Sequence, residues 1–441
     1  MKRLLSLLLC AVLALFCATT AQAAGVSITL TASEYALHYA FDAGAQDPFV
    51  ILEYATPAEK GWMMLYSADG HFEGDVSLAY SGAGGKTSVA LTSARTTGSI
   101  GKASTTLPKA ADYQKPTGKS NAKVTDFVLT ETPEGFHYAF NAIGTDYMLL
   151  YWRSKEQTVT QPVYPDENGH YEGDVISDLT FARTQFTVQV KSGSGSMKKE
   201  ATVRKGYQAP EAPQRQEGRL SGVTVCIDAG HQENGRFVNE PIGPGLSGST
   251  SGKGGMAQGT KTNRRESIVC LEIGMLLRDE LLRQGANVVM TREDQTTFHT
   301  NIERCEIAEA GGAQMMLRLH CNNSSNRSKR GIQVYGPLNS DYAKAVADAD
   351  TYREMGQKLL DAMKTRVGMT LANSTGMVRL NDNYVGNNWA KMMCFLVEMG
   401  YLSNPAEEYL LVTPVYQQWL AEGMADGVYE IAVARGWVQA Q

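Results

Sequence analysis

The segment "VCIDAGHQENG", Val225–Gly235, joins an apolar run to a histidine on a glycine-containing turn. Three apolar residues lead into Asp228, and Ala229 and Gly230 allow the chain to turn after them. His231 follows at once. The pattern therefore predicts a buried strand that presents an imidazole at its carboxyl end; a turn that happens to contain a histidine is the alternative interpretation.

Strand-like and helix-like runs alternate from about residue 220 to the end of the chain. Strands are predicted at "VTVCID", "ANVVMTR", "QMMLRLHCN" and "MCFLVEMG". Helices are predicted at "ESIVCLEIGMLLRDELLRQG", "NIERCEIAEAGG", 341–367, "NPAEEYLL" and "VYQQWLAEGMADGVYEIAVA". This alternation predicts an α/β domain over residues 220–437, with a mostly parallel, twisted sheet flanked by helices.

Polar residues stand where several of these predicted strands end. "MMLRLH" ends in His320, "FLVE" ends in Glu398, and Glu266 opens the first helix. Ligands of such sheets gather beyond the carboxyl ends of the strands, and two imidazoles plus a carboxylate make an open three-ligand zinc site. His231, Glu266 and His320 are thus candidate ligands, although the chain lacks a compact zinc motif, and strand ends that merely happen to be polar are the alternative.

The amino-terminal half contains a repeat. "HYAFD" at 38–42 returns as "HYAFN" at 137–141, and "GHFEGDV" at 70–76 returns as "GHYEGDV" at 169–175, both with an offset of 99. Alternation in segments such as "FTVQVK" is typical of β-strands with one buried face. We expect two all-β, immunoglobulin-like sandwich modules at 25–115 and 120–208, followed by an extended linker at 209–219.

Composition limits the classes of function and the compartment. The chain has 441 residues and a formal net charge of −5, which is not the basic balance of a nucleic-acid-binding protein. Residues 1–23 resemble a secretory signal peptide, with Lys2 and Arg3 before an apolar run and "AQA" at its end. No later segment reaches the roughly 18 consecutive apolar residues of a transmembrane helix. The mature chain is therefore expected to be exported.

Six segments of residues 220–437 resemble the zinc-dependent N-acetylmuramoyl-L-alanine amidases, which cut bacterial peptidoglycan. They are "IDAGH", "RRES", "VVMTRED", "NIERCEIAEAGGA", "LRLHCNNS" and "FLVEMGYLSNPAE", in the order of that family. The resemblance implies that His231, Glu266 and His320 bind Zn²⁺ and that Glu398 is catalytic. Gln232 departs from the glycine that often follows the first histidine, and the segment 237–261 is long and rich in Gly and Ser.

The reaction that this resemblance implies is hydrolysis of the amide bond between the lactyl group of N-acetylmuramic acid and L-alanine. Zinc-activated water would attack the bond, and Glu398 would move the proton to the leaving amine. The substrate would be peptidoglycan, and the protein would be secreted, extracellular or associated with the cell wall, with a periplasmic location also open. A zinc peptidase acting within the stem peptide and a wall-binding or spacer protein with an inactive amidase domain are the alternatives.

Three more residues of this domain are candidates for supporting roles. Asp228 is placed to orient a metal ligand or simply to end a strand. Arg292 is a candidate partner for a substrate carboxylate, or else forms a structural ion pair. The carboxylates available for such a pair are Glu293, Asp294 and Glu303. Asn322 is placed to line the cleft or to make a turn.

Overall fold

A computed structural model describes most of the chain, and the chain divides into two compact units. The described residues are 19–22, 25–119, 122–132, 135–154, 157–176, 185–204, 209–232, 238–250, 255–368 and 377–440. One unit comprises Met1–Thr180 and Thr184–Lys205, and the other comprises Phe181–Arg183 and Gly206–Gln441. The predicted signal peptide lies outside the described residues, apart from a short strand at Thr19–Gln22.

The amino-terminal unit consists of antiparallel strands in three sheets. The strands are β1 Thr19–Gln22, β2 Ser27–Ala32, β3 Ala36–Asp42, β4 Phe49–Ala55, β5 Glu59–Tyr66, β6 His71–Ser77, β7 Gly85–Ser93, β8 Ser99–Leu107, β9 Lys123–Thr132, β10 Gly135–Ile143, β11 Met148–Arg153, β12 Gln157–Val163, β13 His170–Ile176, β14 Gln185–Lys191 and β15 Met197–Arg204. Four strands form the sheet β1-β2-β3-β6, three form β13-β10-β9, and eight form β15-β14-β11-β12-β5-β4-β7-β8.

The prediction of two separate immunoglobulin-like sandwiches is wrong, because the eight-stranded sheet runs through both expected modules. Strand β5 pairs with β12 in the register Gly61↔Gln157 and Glu59↔Val159. The buried Glu59 reinforces this joint, since its carboxylate accepts a hydrogen bond of 3.0 Å from the side chain of Gln157. Alternating hydrophobicity identifies the buried face of each strand but not the edge that it pairs with. The sequence therefore carried no signal for the joining of the modules.

The repeated sequence motifs occupy matching positions in this unit. His38 in β3 lies opposite Asp75 in β6, and His137 in β10 lies opposite Asp174 in β13. Nδ1 of His38 is 3.1 Å from the Asp75 carboxylate, and Nδ1 of His137 is 2.9 Å from that of Asp174. The histidines of the motif therefore contact carboxylates on the exposed faces of their sheets.

The carboxy-terminal unit contains the predicted alternation of strands and helices, with additions. Its elements are β16 Thr224–Ala229, α1 Glu266–Arg283, β17 Asn287–Met290, α2 Asn301–Ala310, β18 Met315–Asn322, β19 Gln333–Gly336, α3 Asp341–Val346, α4 Ala349–Val367, β20 Met377–Leu380, α5 Val385–Trp389, β21 Met393–Tyr401, α6 Glu407–Leu410 and α7 Pro414–Ala434. The predicted helix over 341–367 is divided, because the extended Ala347 ends α3 and Asp348 caps α4 by accepting a hydrogen bond from the Thr351 N–H.

The sheet of this unit is mixed, so the prediction of a mostly parallel sheet is wrong. The strand order is β17-β16-β18-β21-β19-β20. Strand β19 pairs with β21 in antiparallel fashion, and β20 follows the direction of β19, so these two strands run against the other four. Both strands are only four residues long and were not predicted from the sequence, because a run such as "QVYG" is too short to show a clear period.

Two glycines allow the long helices of this unit to pack closely. A Cβ atom at Gly423 of α7 would lie 2.7 Å from the Met363 Cα in α4, and one at Gly427 would lie 2.8 Å from the Leu359 Cα. Both contacts are too short for any residue with a side chain, so the α4–α7 interface depends on these glycines. Among the described residues, no helix has the combination of length and apolar character needed to cross a bilayer.

The segment predicted as an extended linker lies against helix α1. Arg278 donates a hydrogen bond of 2.9 Å to the carbonyl of Pro210, and Arg215 donates one of the same length to the carbonyl of Gly285. The N–H of Gln216 donates to the carbonyl of Leu282. These contacts anchor the described part of the segment to the carboxy-terminal unit.

Candidate metal centre

Three adjacent parallel strands bring the candidate site residues to one edge of the mixed sheet. Strand β18 lies between β16 and β21, and all three run in the same direction. His231 follows the end of β16, while His320 in β18 lies directly opposite Glu398 in β21. The carboxyl ends of parallel strands meet at a single edge, so these side chains belong to one cluster.

The turn after β16 is sterically demanding. A Cβ atom at position 230 would lie 2.4 Å from the Leu319 carbonyl oxygen and 2.6 Å from Cε1 of His320, so only glycine fits beside the His320 ring. His231 itself has a φ of 58°, in the left-handed region that side chains other than glycine rarely occupy. The chain accepts an unfavourable backbone conformation in order to place this imidazole.

Glu266 bridges the two histidines. Its Oε2 is 3.1 Å from Nε2 of His231, and its Oε1 is 2.9 Å from Nδ1 of His320. The carboxylate also accepts hydrogen bonds from the backbone N–H groups of Ala257, at 2.7 Å, and Cys321, at 3.0 Å. One ligand atom from each of His231, Glu266 and His320 lies within 4.8 Å of the others.

The electrostatics of this cluster suit a cation. Burial raises the pKa of Glu266, but hydrogen bonds and positive charge from His231 and His320 outweigh burial and leave that pKa below its usual value. Burial lowers the pKa of His320, which favours the neutral imidazole that binds metals. Nε2 of His320 is buried and has no hydrogen-bond partner among the described groups. Because neighbouring ligand atoms of a tetrahedral zinc site lie about 3.3 Å apart, the spacing fits a divalent cation.

Glu398 stands beside this cluster as a protonatable group. Burial, with a further contribution from the charge of Glu266, raises the pKa of Glu398 to about 8. Its Oε2 is buried without a hydrogen-bond partner among the described groups. A carboxyl group of this kind holds a proton near neutral pH and can exchange it with a neighbouring substrate or water.

Gln333 is a further neighbour of Glu398. It was not predicted from the sequence, because it lies in the short strand β19. The antiparallel pairing of β19 and β21 places Gln333 directly opposite Glu398, on the side away from His320. Its Oε1 accepts hydrogen bonds from Nδ2 of Asn322, at 3.2 Å, and from the hydroxyl of Tyr335, at 2.6 Å. The predicted cleft residue Asn322 therefore belongs to a polar group flanking Glu398.

Asp228 lies in a buried ion network beneath the turn. Its carboxylate pairs with Arg304 and, at 3.0 Å, with Nε of Arg318, and it accepts a 2.8 Å hydrogen bond from the hydroxyl of Thr291. Burial raises the pKa of Asp228, but the two guanidinium charges outweigh burial and hold the pKa well below its usual value. The hydrogen bonds of this carboxylate thus end on Thr291 and the two arginines, and Arg304 in turn contacts the carbonyl of His231.

Asp228→Asn is expected to destabilise the protein strongly. The substitution leaves the buried charges of Arg304 and Arg318 without their carboxylate, and breaking a buried pair typically costs about 3–5 kcal/mol. Denaturant titration of both proteins measures the change in the free energy of unfolding. The exposed Asp350→Asn, which breaks a surface pair with Arg353, is the control that should leave it nearly unchanged. Equal stability of the Asp228 variant and the wild type would contradict the network's role.

Arg292, a candidate partner for a substrate carboxylate or for a structural ion pair, is buried and donates hydrogen bonds to main-chain carbonyls. Nε contacts the carbonyl of Ala229 at 2.7 Å, and Nη2 contacts those of Gly230 at 2.9 Å and Ser267 at 2.7 Å. Its Nη1 reaches the carbonyl of Asp294 at 2.8 Å. This side chain therefore contacts the main chain both at Gly230, next to His231, and at Ser267, next to Glu266.

One edge of the mixed sheet carries two imidazoles, a carboxylate that bridges them and a second carboxyl group. This arrangement is typical of metal-dependent hydrolases. Residues 225–430 match the family model of N-acetylmuramoyl-L-alanine amidase. This match to the amidase family model confirms the resemblance seen in the sequence.

Individual relatives match the same half of the chain. The germination-specific N-acetylmuramoyl-L-alanine amidase of Bacillus subtilis is 26% identical over 231 residues, which cover 49% of this chain and 83% of that protein. The probable cell wall amidase LytH of Staphylococcus aureus is 27% identical over 218 residues, 48% of this chain and 60% of its own length. The crystal structure of N-acetylmuramoyl-L-alanine amidase from Clostridium difficile 630 is 23% identical, with a TM-score of 0.38 and coverage of 48% of this chain and 96% of that one.

Proposed function

We propose that the protein is an exported peptidoglycan hydrolase that cleaves the amide bond between the lactyl group of N-acetylmuramic acid and L-alanine. The observation that carries the proposal is the cluster of His231, Glu266 and His320, whose ligand atoms lie within 4.8 Å of one another beside Glu398. The match of residues 225–430 to the amidase family model supports the choice of an amide bond in the cell wall.

The three clustered side chains would hold Zn²⁺. When bound, the ion supplies Lewis-acid chemistry, polarising a carbonyl group and making water more acidic. The chain's own contribution is geometric: the backbone N–H groups of Ala257 and Cys321 fix the Glu266 carboxylate between the two imidazoles.

Glu398 would act as the base and then as the acid. Its carboxylate takes a proton from the attacking water and returns it to the leaving amine, a role that typically contributes about 10² to 10⁴ in rate. With a pKa of about 8, this carboxyl group can exchange a proton near neutral pH. Positive charge at the neighbouring cluster would favour its ionised form, which the first proton transfer needs. The same carboxyl group thus suits both proton transfers.

Export rests on the amino-terminal sequence. Lys2, Arg3 and the following apolar run have the features of a signal peptide, and residues 1–23 would be removed. The protein would then act outside the cytoplasm, in the cell wall or the surrounding medium. The amino-terminal sheets, in whose described residues no group of potential metal ligands is found, would serve as a targeting or spacer unit.

Digestion of purified peptidoglycan by the full-length mature protein tests the proposed reaction. We expect intact stem peptides with a free L-alanine amino group, together with glycan strands that carry unsubstituted lactyl groups, both identified by mass spectrometry. A chelator should abolish their release, and added Zn²⁺ should restore it. Stem peptides cut internally would indicate a peptidase instead, and an absence of new ends would indicate a wall-binding protein without activity.

A further inference from the structure

One buried guanidinium group joins the two backbone segments that carry His231 and Glu266. Nη2 of Arg292 donates both to the carbonyl of Gly230, at 2.9 Å, and to the carbonyl of Ser267, at 2.7 Å. Gly230 immediately precedes His231, and Ser267 immediately follows Glu266. A single nitrogen atom of Arg292 therefore links the main chain beside one candidate ligand to the main chain beside the other.

The remaining contacts of Arg292 extend this link. Nε donates to the carbonyl of Ala229 at 2.7 Å, so that two consecutive carbonyls before His231 are held by the same planar group. Gln295 donates a second hydrogen bond, of 3.1 Å, to the carbonyl of Ser267. A lysine ammonium cannot reproduce this pattern, because it is a point charge without the fixed fork of donors that a guanidinium provides.

The backbone at His231 requires such support. Its φ of 58° is unfavourable for a residue with a side chain and persists only where surrounding contacts enforce it. Arg304 contributes from the other side, since its Nη2 donates to the His231 carbonyl at 3.3 Å. Burial and the charge of Arg304 lower the pKa of Arg292 to about 10.

We propose that Arg292 is a positioning residue that sets the separation of His231 and Glu266, so that the two ligand atoms, 3.1 Å apart, are arranged for a shared divalent cation. The inference rests on the proposed function, since it takes this cluster to be the metal centre. Arg292 acts on the cation through the two ligands and makes no contact with substrate in this role. It replaces the role in substrate binding that the sequence suggested for this residue.

Metal affinity of the full-length Arg292→Lys and Arg292→Met variants tests the proposal. Removing a group that orients metal ligands typically weakens metal affinity by about 10- to 100-fold, and we expect a loss in that range for both variants. The measurement is competition for Zn²⁺ against a chromophoric chelator, well below the unfolding temperature. Bound Co²⁺ gives a second readout, because a changed ligand geometry alters its visible absorption spectrum.

Arg278→Met is the matched control. Arg278 is a buried arginine of the same unit that also donates to a main-chain carbonyl, that of Pro210, but it does not contact the backbone beside a candidate ligand. It should lose stability while keeping the wild-type Zn²⁺ affinity and Co²⁺ spectrum. The conservative Lys variant decides the question if the Met variant does not fold.

Three results would overturn the proposal. Wild-type Zn²⁺ affinity and Co²⁺ spectrum in a folded Arg292→Lys variant would do so. A loss of affinity in Arg278→Met equal to that in the Arg292 variants would do so as well, as would failure of both Arg292 variants to fold, since each result reduces the residue to a stabilising role. Failure of the wild-type protein to bind Zn²⁺ is a different result, because it rejects the metal centre and with it the proposed function.

Discussion

Glu398→Gln is expected to abolish amide hydrolysis and to leave the metal content unchanged. Glutamine keeps the size of the side chain but cannot take a proton from water and pass it to a leaving amine, so the expected loss in kcat is about 10²- to 10⁴-fold. Metal binding should persist, because the cluster of His231, Glu266 and His320 does not include Glu398. Turnover of purified peptidoglycan and elemental analysis of the same sample measure the two quantities.

The control for this substitution is Glu309→Gln, which removes a carboxylate from the surface of the same unit. Glu309 pairs with Lys391 at 2.9 Å, and both side chains are largely exposed. Its loss should affect neither turnover nor metal content. Wild-type turnover by Glu398→Gln would remove this residue from the mechanism, whereas loss of metal would show that it binds the cation.

Replacing either histidine of the cluster with alanine is expected to strip the metal. His231→Ala and His320→Ala each remove one of the three proposed ligands, and the loss in affinity should exceed the roughly 100-fold that marks the upper range for groups that only orient ligands. Activity should disappear in parallel, because the proposed reaction depends on the cation. Elemental analysis of the purified variants, followed by titration with Zn²⁺, measures the effect.

His299→Ala is the matched control for these variants. His299 is the third histidine of the carboxy-terminal half, and it lies outside the cluster of ligand atoms. This variant should bind Zn²⁺ as the wild type does. Full Zn²⁺ occupancy in His320→Ala would exclude that imidazole from the metal centre.

The proximity of the candidate site residues could be predicted from local sequence patterns, whereas their roles in catalysis and metal binding stay predictions. His320 and Glu398 each end an apolar run, and adjacent parallel strands necessarily bring such ends together. The roles of Asp228 and Arg292 were not predictable in the same way. Their partners, Arg318 and the carbonyls of Gly230 and Ser267, come from distant parts of the chain and meet only after the tertiary structure forms.

The direction and joining of strands were the least predictable features of the fold. Strand β19 has four residues, too few for a hydrophobic period, yet its antiparallel pairing makes the sheet mixed and brings Gln333 next to Glu398. Strand β5 pairs with β12 through main-chain N–H and C=O groups at the edges of both strands. Such groups can pair with the edge of any strand. The wrong predictions of a mostly parallel sheet and of two separate sandwiches both concern which strand edges pair. Alternating hydrophobicity along a single strand does not encode that choice.

The eight-stranded sheet ties the folding of the two duplicated segments together. Because β5 and β12 occupy its centre, neither half can melt without exposing the main-chain N–H and C=O groups of the other half's edge. The two duplicated segments should therefore unfold as one cooperative unit. A chain cleaved between them would expose two unpaired strand edges, at β5 and β12, to association with other molecules.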